Sequence, residues 1–260
     1  MKKFIVSEES SLKNFTDNTC AQASFCFRTL LKEREIRVNG VKVSSDVPLK
    51  KGDEVTYYMT PAQERKKAFS AVYEDENVLV IDKESGVNSE AVFSETGLYP
   101  IHRLDRNTAG LLILSKTRDA EIELLSAFRE RRVEKIYHAL VVGRMPKKHE
   151  VLKAKLLKRD DRVTVGERGE EIVTEYEVIE DRGDCTLLKI TLHTGKTHQI
   201  RAHMAYVGHP VVGDEKYGDS AFNHKRHLTR QQLVSKSLTL TTKDCLEYLN
   251  GKLFTSTKNL

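Results

Sequence analysis

Short apolar runs and one longer β-prone segment indicate that the second half of the chain is rich in strands. Residues 111–114 form an apolar run that is too brief for a buried helix, so they predict a central strand, and residues 78–82 form another apolar run. Residues 135–142 predict a further strand, in which successive side chains point to opposite faces. One face would carry Lys135, Tyr137, Ala139 and Val141. Between residues 151 and 191, short β-prone runs alternate with Asp- and Gly-rich turns, which predicts an antiparallel meander.

Two helices are predicted beside these strands. Thr117 can cap the first, because a threonine side chain accepts a hydrogen bond from a free backbone N–H group of the first turn. Its buried stripe is predicted to hold Ile122, Leu124, Leu125 and Phe128. Thr197 can cap the second, over residues 198–207, and Gly208 ends it. Arg201 then lies one turn into that helix.

The N-terminal region has the pattern of a small α/β module. Residues 21–32 predict a helix with apolar positions at Phe25, Leu30 and Leu31. The pair Asn39-Gly40 stands between two short β-prone runs, which is the strongest short-range signal for a hairpin. Another β-prone run follows at residues 55–58.

A change in composition near residue 60 predicts the domain boundary. The segment TPAQERKKAFS, residues 60–70, is polar and charged and contains a proline, as linkers do. We therefore predict a module over residues 1–60, a linker over 61–71 and a larger domain over 72–260. With 260 residues the chain can bury an ample core.

The net charge of +5, from 43 basic and 38 acidic residues, is too small to identify a nucleic-acid-binding protein by itself. Basic residues are nevertheless clustered, at residues 65–67, 129–135, 153–162 and 224–230. Each such cluster, taken alone, is more often a solvated face than a binding patch. Only their convergence on one surface would indicate a polyanionic partner.

Cysteine usage and hydropathy predict a cytoplasmic protein. The four cysteines, Cys20, Cys26, Cys185 and Cys245, show neither a CxxC pair nor the spacing of a disulfide framework. No apolar run approaches the ~18 residues of a membrane span, and the two N-terminal lysines are not followed by the apolar core of a signal peptide.

The first candidate for chemistry is Asp105, a carboxylate between Arg103 and Arg106 at the mouth of the strand predicted at residues 111–114. From the residues alone, two interpretations remain open. Asp105 is either a reactive carboxylate held on a rigid scaffold or a surface aspartate in an ordinary ion pair, and exposed ion pairs contribute little stability.

Histidines at positions 193, 198, 203 and 209 suggest a zinc site. On a helix, however, His198 and His203 would stand about 140 degrees apart, unlike the two histidines of an H-x-x-x-H pair. A metal-dependent hydrolase is therefore kept only as a minor alternative. The sequence has no G-x-S-x-G element, no G-x-G-x-x-G element and no P-loop, so neither a serine nucleophile nor a nucleotide cofactor is indicated.

Three segments, in order, resemble the RluA-type pseudouridine synthases. Residues 102–112, HRLDRNTAGLL, resemble the family's HRLD-x-x-T-x-G-L-L signature, residues 134–143, EKIYHALVVG, its tyrosine-bearing strand, and residues 192–203, LHTGKTHQIRAH, its TGRTHQIRxH segment. In addition, LLKEREIRVNGVKV and LKKGDEV resemble the S4 RNA-binding domain. The resemblance implies an α+β fold: a large, mostly antiparallel mixed sheet flanked by helices, preceded by a small S4-like module.

The resemblance also implies a reaction and a site. A specific uridine in structured RNA, ribosomal RNA or tRNA, would be isomerised to pseudouridine without any cofactor, by a protein that we predict to be a monomer. Asp105 would be the catalytic carboxylate, either as nucleophile or as base, with Arg201 beside it and Tyr137 against the uracil. Further residues implied to bind substrate or RNA are Arg103, His102, Lys196 and Leu238. The competing hypothesis is an S4-type RNA-binding or ribosome assembly factor that lacks catalysis.

Overall fold

A computed structural model describes residues 1–65, 67–160, 162–228 and 230–260. Lys66, Asp161 and Thr229 fall within three of the predicted basic clusters and lie outside the described residues.

The chain forms two compact units that interleave in sequence. The first comprises Met1–Ser70 and Gly86–Leu98, and the second comprises Ala71–Ser85 and Tyr99–Leu260. The predicted linker, residues 61–71, is not a segment without regular secondary structure. It contains a short helix, Pro61–Arg65, and the beginning of the strand Phe69–Glu74.

The first unit is a small sheet packed against helices. Its elements are β1 (Lys2–Ile5), β2 (Ser10–Ser11), α1 (Leu12–Thr19), α2 (Ala21–Lys32), β3 (Ile36–Val38), β4 (Val41–Val43), β5 (Pro48–Leu49), β6 (Glu54–Tyr57), α3 (Pro61–Arg65) and α4 (Ser89–Thr96). The predicted helix at residues 21–32 is confirmed as α2. The predicted hairpin is also confirmed: β3 pairs with β4, and Asn39 and Gly40 have the positive φ angles, 50° and 80°, of a tight hairpin turn.

Residues 86–98, which the predicted boundary places in the larger domain, belong to the first unit and contain helix α4. Glu95 near its end forms an ion pair with Lys2 and accepts a hydrogen bond from the Gln22 N–H group at 3.4 Å. No change in composition marks residues 86–98 as part of the first unit, because they contact ordinary polar and apolar side chains that are far away in sequence.

The second unit is built on one large sheet. Its elements are β7 (Phe69–Glu74), β8 (Val78–Lys83), β9 (Tyr99–Pro100), β10 (Ala109–Ser115), α5 (Arg118–Arg129), β11 (Val133–Val142), β12 (His149–Arg159), β13 (Arg162–Gly166), β14 (Glu170–Asp181), β15 (Cys185–Leu192), α6 (Gln199–Tyr206), α7 (Ser220–Lys225), β16 (Leu233–Leu240), a 3₁₀ helix (Asp244–Leu249) and β17 (Leu253–Thr255).

The eleven-stranded sheet has the order β13-β12-β14-β15-β11-β16-β10-β8-β7, with β17 beside β16 and β9 beside β10. The described pairings are antiparallel except that of β10 with β16, so the predicted mixed, mostly antiparallel sheet is confirmed. The predicted meander corresponds to β12 to β15. All seven residues of β10 are buried. Lys135, Tyr137, Ala139 and Val141 share one face of β11, as predicted, and that face is buried.

Gly110 permits the close parallel contact between β10 and β16. Its φ angle is +106°, and a Cβ atom at this position would stand 2.3 Å from the Ser235 carbonyl oxygen. Any side chain would therefore collide with the backbone of the neighbouring strand. The close contact joins β16 to the strand that follows the Asp105 loop.

Helix α5 is capped by Thr117 as predicted, since the Thr117 side chain accepts a hydrogen bond from the Ala120 N–H group. The predicted buried stripe is wrong in part: Ile122 is 63% and Leu125 42% exposed. The buried face contains Ala120, Glu123, Leu124 and Ala127 instead. On this face Glu123 forms an ion pair with Arg132 at 2.9 Å, an interaction that hydrophobic periodicity does not reveal.

Helix α6 begins one residue later than predicted. His198, and not Thr197, is the residue before its first turn, and it has a left-handed backbone conformation with a φ angle of 54°. Arg201 is therefore the third helical residue. Among the described residues, no helix is both long enough and apolar enough to cross a membrane.

Candidate active site

A buried lysine forms hydrogen bonds with the backbone of the loop that carries Asp105. Lys83, at the end of β8, is fully buried, and its ammonium group donates hydrogen bonds to the carbonyl oxygens of Glu84 at 3.1 Å, Arg106 at 3.2 Å and Asp105 at 3.4 Å. Burial lowers the pKa of Lys83 to about 7, although Asp105 and Glu84 oppose the shift. The Thr108 N–H group also donates to the Asp105 carbonyl oxygen, at 3.0 Å. The backbone beneath Asp105 is thus held at several points.

Arg201 joins Asp105 to a second carboxylate, Asp214. Its Nη1 atom donates to Asp105 Oδ2 at 2.8 Å, and its Nε and Nη2 atoms donate to the two oxygens of Asp214 at 2.7 and 2.9 Å. Asp214, which is only 2% exposed, also accepts the N–H groups of Lys216 and Tyr217. The two-pronged pair with Asp214 fixes the guanidinium plane, and this in turn fixes the direction of the bond to Asp105.

The pairing of Arg201 with Asp214 favours the charged form of both side chains. Burial alone would lower the pKa of Arg201, but the hydrogen bonds and charges of Asp214 and Asp105 outweigh it and raise the pKa. Burial would likewise raise the pKa of Asp214, and Arg201 reverses that effect and lowers it. The guanidinium and the Asp214 carboxylate are therefore both ionised near neutral pH.

His198 faces the other oxygen of Asp105. Its Nε2 atom lies 3.9 Å from Asp105 Oδ1, and its Nδ1 atom lies 2.9 Å from the Tyr217 hydroxyl oxygen. That oxygen also accepts the Val163 N–H group at 3.0 Å, so its own proton can be donated to Nδ1. The pKa of His198 is lowered, mainly by burial. The Tyr217 ring also covers the Arg201 guanidinium, with a centroid distance of 5.2 Å.

These groups line a cavity of about 430 Å³. Tyr137, on β11, forms part of its wall, and burial, with the nearby charge of Asp105, raises the pKa of Tyr137 to about 12. The phenol is therefore protonated near neutral pH and offers a packing surface and a hydrogen-bond donor. The structure thus brings Asp105, Tyr137 and Arg201 together although they are far apart in sequence.

The other predicted binding residues have different environments. Arg103 is exposed at the cavity, and Lys196 lines it while forming an ion pair with Glu170. His102 also lines it, but its ring stacks on Phe128 with a centroid distance of 4.7 Å, and its Nε2 atom accepts the Ile113 N–H group at 3.2 Å. Desolvation lowers the pKa of His102 to about 3, so the ring is neutral. A structural role is thus visible for His102.

Leu238 requires a correction. It is 1% exposed and packs in the hydrophobic core with residues such as Leu111 and Leu124, whereas the leucine of β16 that lines the cavity is Leu233. The two leucines are five positions apart on the strand, roughly 17 Å at ~3.3 Å per residue. A bulge opposite Ile136 and Tyr137 also shifts the alternation of side chains along β16.

Sequence reasoning missed five residues of the site: Lys83, Lys135, His198, Asp214 and Tyr217. His198 and Lys135 lie within the segments that carry the family resemblance, but the resemblance assigned roles only to other residues of those segments. Asp214 and Tyr217 come from a short Gly-Asp-Glu-Lys-Tyr-Gly segment, residues 213–218, whose polar residues look like any surface turn. Only the pairing of Asp214 with Arg201 distinguishes it.

The four histidines of the zinc hypothesis have four separate environments. His193 bonds to Glu175, His198 to Tyr217, His203 to Thr174 and His209 to the Val142 carbonyl oxygen. Within the described ranges, no three His, Cys, Asp or Glu side chains are grouped as metal ligands.

The fold is that of known pseudouridine synthases. The human protein RNA Pseudouridylate Synthase Domain Containing 1 aligns with a TM-score of 0.60 and 24% identity, covering 74% of this chain and 91% of that one. Human RNA Pseudouridylate Synthase Domain Containing 4 aligns with a TM-score of 0.58 and 23% identity, over 68% and 85% of the two chains. At these identities the likeness shows the fold.

Sequence comparison shows the family. A family profile described as RNA pseudouridylate synthase matches residues 77–206. Ribosomal large subunit pseudouridine synthase C of Vibrio cholerae is 33% identical over 229 residues, which cover 75% of this chain and 72% of that protein. An uncharacterized RNA pseudouridine synthase of Aquifex aeolicus is 30% identical over 248 residues, or 82% and 78% of the two chains. The chain belongs to the RNA pseudouridylate synthase family.

The family membership confirms the predicted activity: the protein is an RNA pseudouridine synthase, an isomerase that acts on RNA. The alternative of a noncatalytic assembly factor receives no support from these matches, because the relatives are named as synthases.

Proposed function

We propose that the enzyme isomerises a uridine in ribosomal RNA and that Asp105 is its catalytic carboxylate. The observation that carries the assignment is the bond from Arg201 Nη1 to Asp105 Oδ2 at 2.8 Å, at a cavity that is also lined by Tyr137. Arg201 is itself held by Asp214, so it fixes the Asp105 carboxylate in one orientation before substrate binds. The other oxygen of Asp105 faces His198. The cavity volume of about 430 Å³ suits a single nucleotide.

The reaction requires no redox chemistry. The bond between ribose C1′ and uracil N1 breaks, the base rotates, and a bond forms from C1′ to C5, after which C5 loses a proton and N1 gains one. Asp105 acts either as a nucleophile on the sugar or as a base that takes a proton from it, and the geometry suits both. Tyr137 packs on the uracil, and its raised pKa makes it a donor and not a base in the free enzyme.

Access to the uridine requires base flipping, because a stacked nucleotide cannot reach a cavity of this kind. Removing the base from its stack costs a few kcal/mol. Arg103, exposed at the cavity, is the residue that we assign to the vacated position, since a planar guanidinium can stack between bases. Lys196 is assigned to the RNA at the same rim.

Ribosomal RNA is the preferred substrate class because several of the matching relatives are named ribosomal large subunit pseudouridine synthase C. We also propose that the enzyme acts as a monomer in the cytoplasm, where such a substrate is found. Mapping of pseudouridines in the RNA of a strain that lacks the gene tests the substrate. A site lost from ribosomal RNA and restored by the wild-type gene is the expected result. Loss confined to tRNA would refute the ribosomal assignment.

We further propose that the first unit contributes RNA contacts as an S4-like module. In support, Arg28 and Lys32 are exposed one helical turn apart on α2, so they share a face. Deleting the module would be a poor test, because α4 packs within this unit and would lose its partners. Charge removal leaves the fold in place.

The double substitution Arg28→Gln/Lys32→Gln is therefore expected to weaken RNA binding and to flatten its salt dependence. Each lost phosphate contact removes roughly 0.7–0.9 from the slope of log affinity against log salt. The rate at saturating RNA should stay within about twofold, because the catalytic residues lie in the other unit. The control, Lys147→Gln/Lys189→Gln, removes two lysines that are paired with Glu150 and Glu177. Equal salt slopes for wild type and the Arg28/Lys32 variant would indicate that the module is a spacer.

A further inference from the structure

The cavity is strongly cationic. Its lining includes five basic side chains, Arg103, Arg129, Lys135, Lys196 and Arg201, and a single carboxylate, Asp105. Arg201 is engaged by Asp105 and Asp214, and Lys196 is paired with Glu170. Lys135 is different, because most of its side chain is buried while its ammonium group lines the cavity without an ion pair among the described residues.

Lys135 is 91% buried, with 9% of its surface exposed. Among the described residues, no carboxylate forms an ion pair with its ammonium group and no carbonyl oxygen accepts a hydrogen bond from it. Burial lowers the pKa of Lys135, and the charge that adds to this effect is that of Arg131, another cation. A buried charge without a partner is costly, and buried lysines are normally paired. The Lys135 ammonium lines the cavity without an ion-pair partner in the described part of the chain, so it is available to an anionic ligand.

The surroundings leave room for such a ligand. The Lys135 ammonium lies against Gly195, where an added Cβ atom would stand 3.6 Å from Nζ and cover part of the group. Arg129, exposed at the same cavity, likewise has no ion pair among the residues that the structure describes. Two cations thus line one cavity without an ion pair among the described residues, and the side chain of Lys135 is largely buried.

The position of Lys135 relative to Tyr137 suggests the ligand. The two residues lie on the same face of β11, two positions apart, which is roughly 6.6 Å at ~3.3 Å per residue. The distance from the base of a nucleotide to its own phosphate is similar. A uracil that packs on Tyr137 therefore has a phosphate within reach of the Lys135 ammonium.

We propose that Lys135 forms an enclosed phosphate-binding site for the RNA backbone next to the flipped uridine. This inference rests on the proposed function and adds to it the recognition of one specific phosphodiester. A lysine suits this role because its ammonium is a point charge with three donors. The pairing neutralises this cation only when substrate is bound, so it links nucleotide flipping to the formation of an ion pair.

Lys135→Met is expected to weaken the use of RNA and to leave the fold as stable as before or more so. Methionine has nearly the same length and removes the buried charge, so the melting temperature should stay equal or rise. With ribosomal RNA from the deletion strain as substrate, kcat/KM should fall about tenfold at low salt. The slope of log kcat/KM against log salt should decrease by roughly 0.7–0.9, the value for one lost phosphate contact.

Two further variants define the result. Lys135→Arg retains the cation and should keep the wild-type salt slope, whereas Lys189→Met, at an exposed lysine paired with Glu177, should change neither the slope nor kcat/KM. A salt slope that is identical in Lys135→Met and wild type would overturn the proposal, because the ammonium would then contact an uncharged group. A marked fall in melting temperature would overturn it too, since it would reveal a structural role. If wild type itself modifies no ribosomal RNA, the proposed function fails first.

Discussion

Replacing Asp105 with asparagine is expected to abolish pseudouridine formation, with a fall in the single-turnover rate of about 10⁴-fold or more. The amide has the shape of the carboxylate but can neither attack the sugar nor accept its proton at a useful rate. RNA affinity should change by no more than a few-fold, because Arg103, Lys135 and the other cations of the cavity are untouched. Rate and affinity are measured separately, with enzyme in excess over RNA.

The fold should tolerate this change. Arg201 keeps both bonds to Asp214, at 2.7 and 2.9 Å, so the buried guanidinium is not left without a partner. A matched control is Asp181→Asn, at an exposed aspartate whose ion pair with Arg144 lies in the meander and whose Oδ1 atom accepts the Gly183 N–H group. Wild-type turnover by Asp105→Asn would refute the catalytic assignment. A low melting temperature in that variant alone would assign Asp105 a structural role.

The sequence predicted well those features that depend on local pattern. The period of two along β11 placed Lys135 and Tyr137 on one buried face, and the apolar run of β10 identified an inner strand behind Asp105. Strand periodicity and cap chemistry act over a few residues, so a single sequence contains them in full. The motifs then added the identity of the site.

Interactions between distant residues were the part that could not be predicted. Asp105 and Arg201 meet although 96 positions separate them, and the family resemblance, not the pattern, brought Arg201 to notice. Asp214 had no such support. On α5, Glu123 lies on the buried face in its pair with Arg132, whereas Ile122, a large apolar residue of the predicted stripe, is exposed. A buried ion pair is an exception to the rule that hydrophobic side chains form the inner face of a helix. Its second residue lies outside the helix, so the periodicity of the helix does not reveal it.

Arg201→Lys is expected to lower the single-turnover rate about 100-fold while RNA affinity stays within a few-fold. The arginine uses three N–H groups in one plane, two for Asp214 and one for Asp105. A lysine has a single ammonium group that cannot reach both carboxylates with this geometry. Asp214, which is 2% exposed, needs the cation more and should retain it, so Asp105 would lose its orientation. A misplacement of ~1 Å in a reacting group can cost about 100-fold in rate.

Arg201→Lys should also lower the melting temperature, because one oxygen of the buried Asp214 loses its charged donor. A lower rate can then come from a less stable protein or from a misoriented Asp105 carboxylate. Arg132→Lys is the matched control that separates these two causes. Arg132 makes a comparable fork with the buried Glu123, at 2.9 and 3.5 Å, and neither residue is among those that line the cavity. We expect this control to lose a similar amount of stability and to keep its rate within about twofold. Equal rate losses in the two variants would mean that Arg201 acts only through stability, and a wild-type rate in Arg201→Lys would mean that Asp105 has another partner.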